Sequence, residues 1–208
     1  MDRKQLTLYG ITDRDYLDDI SFEEAVEEAL QGGVTILQLR EKELDEQSIR
    51  EEAKTLKEIC KKYGTSLILD DNVALVKELD LDGVHLGQSD MPAKEARSIL
   101  GSDKIIGITA KTIEQAKKAE SDGADYLGVG AVFETTTKPG AKHISASELK
   151  DIVSSVKIPV VAIGGITREN VNTLKGTNIA GVAVSADIFN SENICKAAAE
   201  MLQEVKKL

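Results

Sequence analysis

The sequence predicts an α/β protein, a single (β/α)8 TIM barrel that covers residues 1–208 as one domain. Short apolar runs alternate with amphipathic segments about every two dozen residues, which is typical of repeated βα units. The chain has 208 residues, near the lower end of the size range of such barrels. No change of composition and no linker marks a second domain.

Eight apolar runs are predicted to be strands. In chain order they are LTLYGIT (6–12), TILQLR (35–40), SLILD (66–70), GVHLG (83–87), IIGIT (105–109), YLGVG (126–130), VVAIG (160–164) and GVAVS (181–185). Eight parallel strands can close into a barrel or form an open, doubly wound sheet. We favour the barrel because no glycine-rich dinucleotide fingerprint follows the first strand, and because strands seven and eight end in small residues suited to phosphate, Gly164, Gly165 and Ser185.

The amphipathic segments between these runs are predicted to be helices. In SFEEAVEEALQGG, Ser21 and Glu24 form a capping box, and Gly32 or Gly33 ends the helix. A second helix is expected at about 46–63. The later helical segments are NVALVKEL, AKEARSILG, TIEQAKKAESDGA, SASELKDIVSSV, TRENVNTLKG and SENICKAAAEMLQEVKKL.

Composition excludes several classes of function. The net charge of −10 and the absence of a Lys/Arg-rich run argue against a nucleic-acid partner. The first ten residues lack the apolar stretch of a signal peptide, and the most apolar segment, 158–166, is too short to span a bilayer. Cys60 and Cys195 have no metal-like spacing and are expected to be free thiols. We therefore expect a cytoplasmic protein with no membrane partner, and the sequence leaves a homo-oligomer open.

The second strand carries polar residues toward one end of the barrel. Residues two apart on a strand share a face, so Gln38, Arg40 and Lys42 are expected to point inward, with Gln38 deepest. A buried glutamine needs partners, which the ring nitrogens and amino group of a heterocycle would supply. The alternative is that Arg40 and Lys42 only begin a solvated loop.

Carboxylates follow two neighbouring strands. Asp70 and Asp71 end the third strand, and Asp90 lies just after the fourth. Because adjacent strands are about 4.8 Å apart, these side chains can converge on one cation. Carboxylate oxygens without His or Cys suit Mg²⁺, although an Asp after a strand is often only a helix cap.

The segment after the sixth strand, which contains Thr135, Thr136, Thr137 and Lys138, lacks clear periodicity until about Ser145. A loop of this length is typical of a lid or binding loop, and its hydroxyls and lysine can donate to phosphate oxygens. A merely polar surface loop is the alternative.

The phosphate site is expected at the ends of strands seven and eight, where Gly164 and Gly165 allow backbone N–H groups to approach closely. His85 is expected to be a packing residue and His143 to lie on the surface. No serine or cysteine has the context of a nucleophile, so the sequence does not favour a hydrolase.

These motifs together resemble those of thiamine-phosphate synthases over nearly the whole chain. They are QLREK at 38–42, the carboxylate pair after the third strand, GVHLGQSDM at 83–91, GADYLGVGAVFETTTK at 123–138, IPVVAIGGIT at 158–167 and GVAVSA at 181–186. The resemblance implies a Mg²⁺-dependent transferase in thiamine biosynthesis. It would couple 4-amino-5-hydroxymethyl-2-methylpyrimidine diphosphate to a phosphorylated thiazole, through a pyrimidine carbocation, and release pyrophosphate.

The resemblance also implies roles for individual residues. Gln38 would contact the pyrimidine, and Mg²⁺ would bind Asp71 and Asp90. The diphosphate would be held by the cations Arg40, Lys42 and Lys138, with Thr109 at a position usually occupied by a serine that contacts pyrophosphate and assists the reaction. The thiazole phosphate would lie against Gly165, Val184 and Ser185, with Thr135 and Thr137 supporting the thiazole.

Three positions depart from the pattern of the family. Asp70 stands where an asparagine is expected to bind pyrophosphate, and its negative charge would repel the diphosphate unless Mg²⁺ offsets it. Asn72 replaces a common arginine or acidic residue, and Thr109 replaces serine.

Three other readings stay open. A thiazole tautomerase shares the barrel but uses a histidine after the fifth strand, where this chain has TAKT at 109–112. A non-catalytic barrel could bind thiamine precursors as a sensor or carrier. A phosphosugar isomerase would need a convincing base at a strand end.

Overall fold

Eight parallel strands form a closed barrel in which each strand pairs with the next and the last pairs with the first. The computed structural model describes residues 1–17, 20–135 and 143–208. The strands are β1 (Leu8–Ile11), β2 (Ile36–Leu39), β3 (Ser66–Asp70), β4 (Gly83–Leu86), β5 (Ile105–Ala110), β6 (Tyr126–Gly130), β7 (Val160–Ile163) and β8 (Gly181–Val184). The predicted (β/α)8 fold is confirmed.

Helices follow the strands and cover the outside of the barrel. They are α1 (Phe22–Gln31), α2 (Glu46–Tyr63), α3 (Val73–Leu79), α4 (Ala93–Leu100), α5 (Ile113–Ser121), α6 (Ala146–Ser154), α7 (Ala186–Phe189) and α8 (Ile194–Val205). Short 3-10 helices span Arg3–Leu6, Arg14–Tyr16 and Val171–Leu174. No helix in the described ranges is long and apolar enough to cross a membrane.

The start and stop signals of α1 are those expected from the sequence. The Ser21 hydroxyl accepts a hydrogen bond from the Glu24 amide at 3.2 Å, and the Glu24 carboxylate accepts one from the Ser21 amide at 3.2 Å. These two bonds satisfy amide groups that the first turn of a helix leaves unpaired. Gly32 caps the other end, and Gly33 takes a φ of 101°, which favours glycine.

The predicted start of the first strand and one predicted helix are wrong, and in both places local side-chain hydrogen bonds stabilise a different structure. Leu6 does not begin β1 but ends a 3-10 helix whose first turn is fixed by a capping box between Asp2 and Gln5. The segment 167–176 is not an α-helix, and only its middle forms a 3-10 helix. Here the Asn170 side chain bonds the Thr167 amide and the Gly165 carbonyl, which competes with helical bonding.

The core has two layers because strand side chains alternate between the barrel interior and the helices. The outer layer includes Leu37, Leu39, Leu67, Leu69, Val84, Leu86, Ile106 and Ile108. The apolar part of the interior consists of Leu6, Tyr9, Ile11, Ile36, Ile68, Tyr126, Val161 and Ala183. The same alternation directs the polar side chains of four strands into the interior: Gln38, Asp70, His85 and Thr109.

Candidate active site

A continuous chain of buried hydrogen bonds crosses the barrel interior. Gln38 Nε2 donates to Tyr9 Oη at 3.0 Å, and Tyr9 Oη lies 2.8 Å from Tyr126 Oη. Tyr126 Oη lies 2.9 Å from His85 Nδ1, and His85 Nε2 lies 3.0 Å from Thr109 Oγ1. The chain thus connects β2 with β5 through side chains of β1, β6 and β4.

The two tyrosines in this chain stay protonated. Tyr9 is 1% exposed and Tyr126 is fully buried. Burial disfavours the phenolate and raises the pKa of both hydroxyls well above the ordinary value. Each hydroxyl therefore has one hydrogen to donate and can accept another, which is what a chain of hydrogen bonds requires.

Two glycines make room for these side chains. A Cβ at Gly107 would lie 2.0 Å from Cζ of Tyr126, so this position on β5 admits the tyrosine ring only as glycine. A Cβ at Gly128 would lie 3.1 Å from Cε1 of His85, a tight contact. The interior of the barrel is therefore shaped around Tyr126 and His85.

A group of opposite charges lies at the mouth of the barrel, above Gln38. Lys42 Nζ lies 2.6 Å from a carboxylate oxygen of Asp70 and 2.6 Å from one of Asp71. Arg40 Nε is 3.9 Å from Asp70. Burial disfavours the charged form of Lys42 and lowers its pKa. The hydrogen bonds to both carboxylates have the larger combined effect, so the pKa of this lysine is raised. Arg40 and Lys42 follow the end of β2, so only Gln38 of the three predicted inward-facing residues is on the strand and buried.

The three carboxylates of the mouth differ in environment. The Asp70 side chain is only 13% exposed, and burial raises its pKa although Lys42 opposes this effect. Asp71 takes a φ of 60°, and its amide donates to the His85 carbonyl at 2.9 Å. Burial opposes ionisation of Asp71, but its contacts with Lys42 and Asp90 hold its pKa below the ordinary value. Burial and the neighbouring Asp71 raise the pKa of Asp90. The Gly87 amide donates a hydrogen bond to Asp90 at 2.6 Å, which lowers this pKa but does not cancel the rise.

This donor set fits Mg²⁺ as part of a site that a substrate phosphate would complete. Asp71 and Asp90 are close enough for each to shift the pKa of the other, and the ammonium of Lys42 already lies against Asp71. Within 1–17, 20–135 and 143–208, no group of three or more His, Cys, Asp or Glu side chains could hold a metal ion by itself. Mg²⁺ commonly uses one or two carboxylates together with substrate phosphates, so two carboxylates are sufficient for such a site.

The loop after β4 is tied to β5 next to Thr109. Gln88 Nε2 donates to the Thr109 carbonyl at 2.6 Å, and the nearby Asp90 carboxylate accepts from Gly87. The hydroxyl of Thr109 faces His85 inside the barrel. Thr109 and Asp90 are thus fixed on the same side of the mouth.

The ends of β7 and β8 form the opposite side of the mouth. Gly164 and Gly165 take φ values of 98° and 64°, and a Cβ on Gly165 would lie 2.0 Å from the Glu134 carbonyl oxygen. Glycine is therefore required here for close packing against the loop after β6. Ser185 precedes α7, and its hydroxyl lies 3.4 Å from the Asp13 carboxylate.

The predicted site residues divide into those that the structure brings together and those outside the described ranges. Lys138 and Thr137 lie outside the described residues. Thr135 is half-buried at the end of the described loop, and Val184 is buried at the end of β8. The residues placed at the barrel mouth or just inside it are Gln38, Arg40, Lys42, Asp70, Asp71, Asp90, Thr109, Gly165 and Ser185.

Sequence reasoning missed the interior chain. His85 is buried as expected, but it bonds Tyr126 and Thr109 rather than only filling space. From the sequence, only a bound heterocycle is expected as the hydrogen-bond partner of Gln38, but Gln38 also has a partner within the protein, Tyr9. One signal was available: Gly107 and Gly128 stand at inward positions of their strands, where glycine leaves space for a large neighbour. The exposed His143 lies on the surface as predicted.

Residues 8–188 match the family model described as thiamine monophosphate synthase. The chain belongs to this family. It is 45% identical over 202 residues to the thiamine-phosphate synthase of Clostridium botulinum, covering 97% of this chain and 95% of that one. It is 46% identical over 206 residues to the thiamine-phosphate synthase of Methanobrevibacter smithii, covering 99% and 98%.

A solved structure of the family shares the whole barrel. The thiamine phosphate pyrophosphorylase of Pyrococcus furiosus superposes with a TM-score of 0.90 at 40% identity, covering 99% of this chain and 98% of that one. The resemblance to thiamine-phosphate synthases is thereby confirmed, and so is the expected class of enzyme, a transferase of thiamine biosynthesis.

Proposed function

We propose that this chain is a Mg²⁺-dependent thiamine-phosphate synthase. It would join 4-amino-5-hydroxymethyl-2-methylpyrimidine diphosphate to 4-methyl-5-(2-phosphoethyl)thiazole and give thiamine phosphate and pyrophosphate. The observation that carries the proposal is the family match over residues 8–188, together with a buried amide directly below a group of cations and carboxylates.

Gln38 is suited to recognise the pyrimidine. Its side chain is 3% exposed at the bottom of the mouth, and its Nε2 is committed to Tyr9. Its carbonyl oxygen can then accept a hydrogen bond from the amino group of the pyrimidine. A ring bound here would place its diphosphate among the charged side chains above.

The diphosphate would be held by Arg40, Lys42 and Lys138, and Asp71 with Asp90 would hold Mg²⁺. Lys42 is placed to exchange its carboxylate partners for diphosphate oxygens, since its ammonium already lies at the mouth. When bound, Mg²⁺ supplies positive charge that stabilises the departing pyrophosphate. Asp70 is the one group here that opposes diphosphate binding, and its ion pair with Lys42 partly offsets its charge.

The reaction breaks one bond and forms another at the methylene carbon of the pyrimidine. The bond from carbon to the diphosphate oxygen breaks first, and the electron pair leaves with pyrophosphate. The thiazole nitrogen then attacks the resulting carbocation. This order requires charge stabilisation of the leaving group and no strong base, which agrees with the cations of the mouth.

The thiazole phosphate would lie at the ends of β7 and β8, against Gly165, Val184 and Ser185. Thr135 and Thr137 would support the thiazole from the loop after β6. In this arrangement the two substrates would lie on opposite sides of the mouth, and the thiazole nitrogen would face the pyrimidine carbon.

The test is to incubate the purified protein with both substrates and Mg²⁺, with and without EDTA, and to detect thiamine phosphate by mass spectrometry. We expect product that EDTA abolishes and that added Mg²⁺ restores. Binding of either substrate without product would favour a sensor. Conversion of the thiazole phosphate alone to an isomer would favour a tautomerase.

A further inference from the structure

The orientation of the Gln38 amide implies a direction for the buried hydrogen bonds from Gln38 to Thr109. Because Gln38 Nε2 donates to Tyr9 Oη, the hydrogen of Tyr9 is left to donate to Tyr126. The hydrogen of Tyr126 then goes to His85 Nδ1. A neutral imidazole that accepts at Nδ1 carries its hydrogen on Nε2, and this hydrogen donates to Thr109 Oγ1.

The hydroxyl of Thr109, the last group in this series of hydrogen bonds, can therefore act as a donor. Thr109 Oγ1 accepts from His85, so its own hydrogen is directed elsewhere, and the hydroxyl stands below the mouth where the diphosphate is proposed to bind. If the Gln38 amide were turned round, every bond in the chain would reverse. Thr109 would then donate to His85 and offer only a lone pair to the mouth.

We propose that His85 is a positioning residue that holds the Thr109 hydroxyl as a donor to the leaving diphosphate, and that Gln38 sets this direction when its carbonyl oxygen accepts from the pyrimidine amino group. This inference rests on the proposed function. The amino group can only donate to Gln38, so its binding keeps Gln38 Nε2 on Tyr9. Recognition of the pyrimidine at one end of the chain thus fixes the donor at the other end.

The barrel is built to keep this chain in place. Apart from Thr109, its residues are at most 8% exposed, so water does not compete for the hydrogen bond between the tyrosines. Gly107 and Gly128 provide the space that Tyr126 and His85 occupy. The ring of Tyr9 contacts that of Tyr126 edge to face, with centroids 5.8 Å apart.

The first experiment reads the tautomer of His85 without using activity. The protein has two histidines, so the exposed His143 is replaced in the variant His143→Gln, and the remaining imidazole, that of His85, is labelled with ¹⁵N. We expect nitrogen shifts that show a protonated Nε2 and an unprotonated Nδ1, both in the free protein and with the pyrimidine diphosphate and Mg²⁺. A protonated Nδ1, alone or as the imidazolium, would overturn the proposal.

The second experiment asks whether His85 acts through Thr109. His85→Asn keeps a polar group near Tyr126 but is too short to reach Thr109. We expect kcat to fall about tenfold to a hundredfold, less than the roughly hundredfold to thousandfold loss for complete removal of one donor to a developing charge, because the Thr109 hydroxyl is still present. KM for the pyrimidine should change little. His85→Gln, which can place an amide donor near Thr109, should recover part of this loss. In a Thr109→Val background, His85→Asn should have almost no further effect.

A full additional loss in the Thr109→Val background would show that His85 acts independently of Thr109, and would refute the proposal. Thermal unfolding of each variant identifies any that fails to fold, and the tautomer measurement on the otherwise unchanged barrel does not depend on them. If the protein makes no thiamine phosphate, the proposed function fails, while the tautomer still tests the direction of the chain.

Discussion

Replacement of Gly107 by alanine tests whether the barrel interior is shaped around Tyr126. The added Cβ would lie 2.0 Å from Cζ and 2.2 Å from Oη of a side chain that is fully buried. Neither the ring nor β5 can move without disturbing neighbouring strands, because β5 pairs with both β4 and β6. We therefore expect Tyr126 to be displaced.

The cost follows from two effects. Overpacking a well-packed core costs typically about 1–3 kcal/mol. Displacement of Tyr126 also weakens its bonds to Tyr9 and His85, each worth about 0.5–1.5 kcal/mol. We expect Gly107→Ala to lower the free energy of unfolding by about 2–6 kcal/mol, which for a chain of this size lowers the midpoint of thermal unfolding by at least about 4 °C.

Urea unfolding of the purified variant measures this change, with Gly128→Ala as a matched control. A Cβ at Gly128 would lie 3.1 Å from Cε1 of His85, so that substitution requires a shift of only a few tenths of an ångström and should cost less. In a Tyr126→Leu background the clash is removed, and Gly107→Ala should become nearly neutral. Equal costs in both backgrounds, or a cost below that of Gly128→Ala, would refute the reasoning.

Three substitutions test the proposed site. Lys138→Ala should reduce the rate of coupling strongly with little change in thermal unfolding, because the substitution removes a cation that is proposed to hold the diphosphate. Asp90→Asn should weaken the dependence of the rate on Mg²⁺, measured by titration of the ion; wild-type rates of both variants at all Mg²⁺ concentrations would show that the assignment is wrong. Asp70→Asn should lower the inhibition constant of pyrophosphate severalfold, because removal of a carboxylate next to Lys42 removes repulsion, and a raised constant would contradict this.

Asp70 shows which features of the site could be predicted from the sequence and which could not. Its position at the end of the third strand, next to Asp71, follows from the strand pattern and is found in the structure. Its burial and its ion pair with Lys42 depend on how the chain after β2 folds back over the barrel. No local pattern encodes that distance, since the two residues are 28 positions apart and belong to different βα units.

Periodicity by itself determined the order of strands and helices, since burial on one face leaves a repeat of two or of about 3.6 residues in the sequence. It likewise placed Gln38 inside the barrel and the acidic residues at strand ends. It failed at 167–176, where the amide of Asn170 replaces helical bonds, and at the two tyrosines. Tyr9 and Tyr126 are 117 residues apart, and only closure of the barrel brings their hydroxyls within 2.8 Å. Alternation fixes the side of the strand on which a residue lies, whereas the partner it meets there depends on which strands become neighbours across the interior.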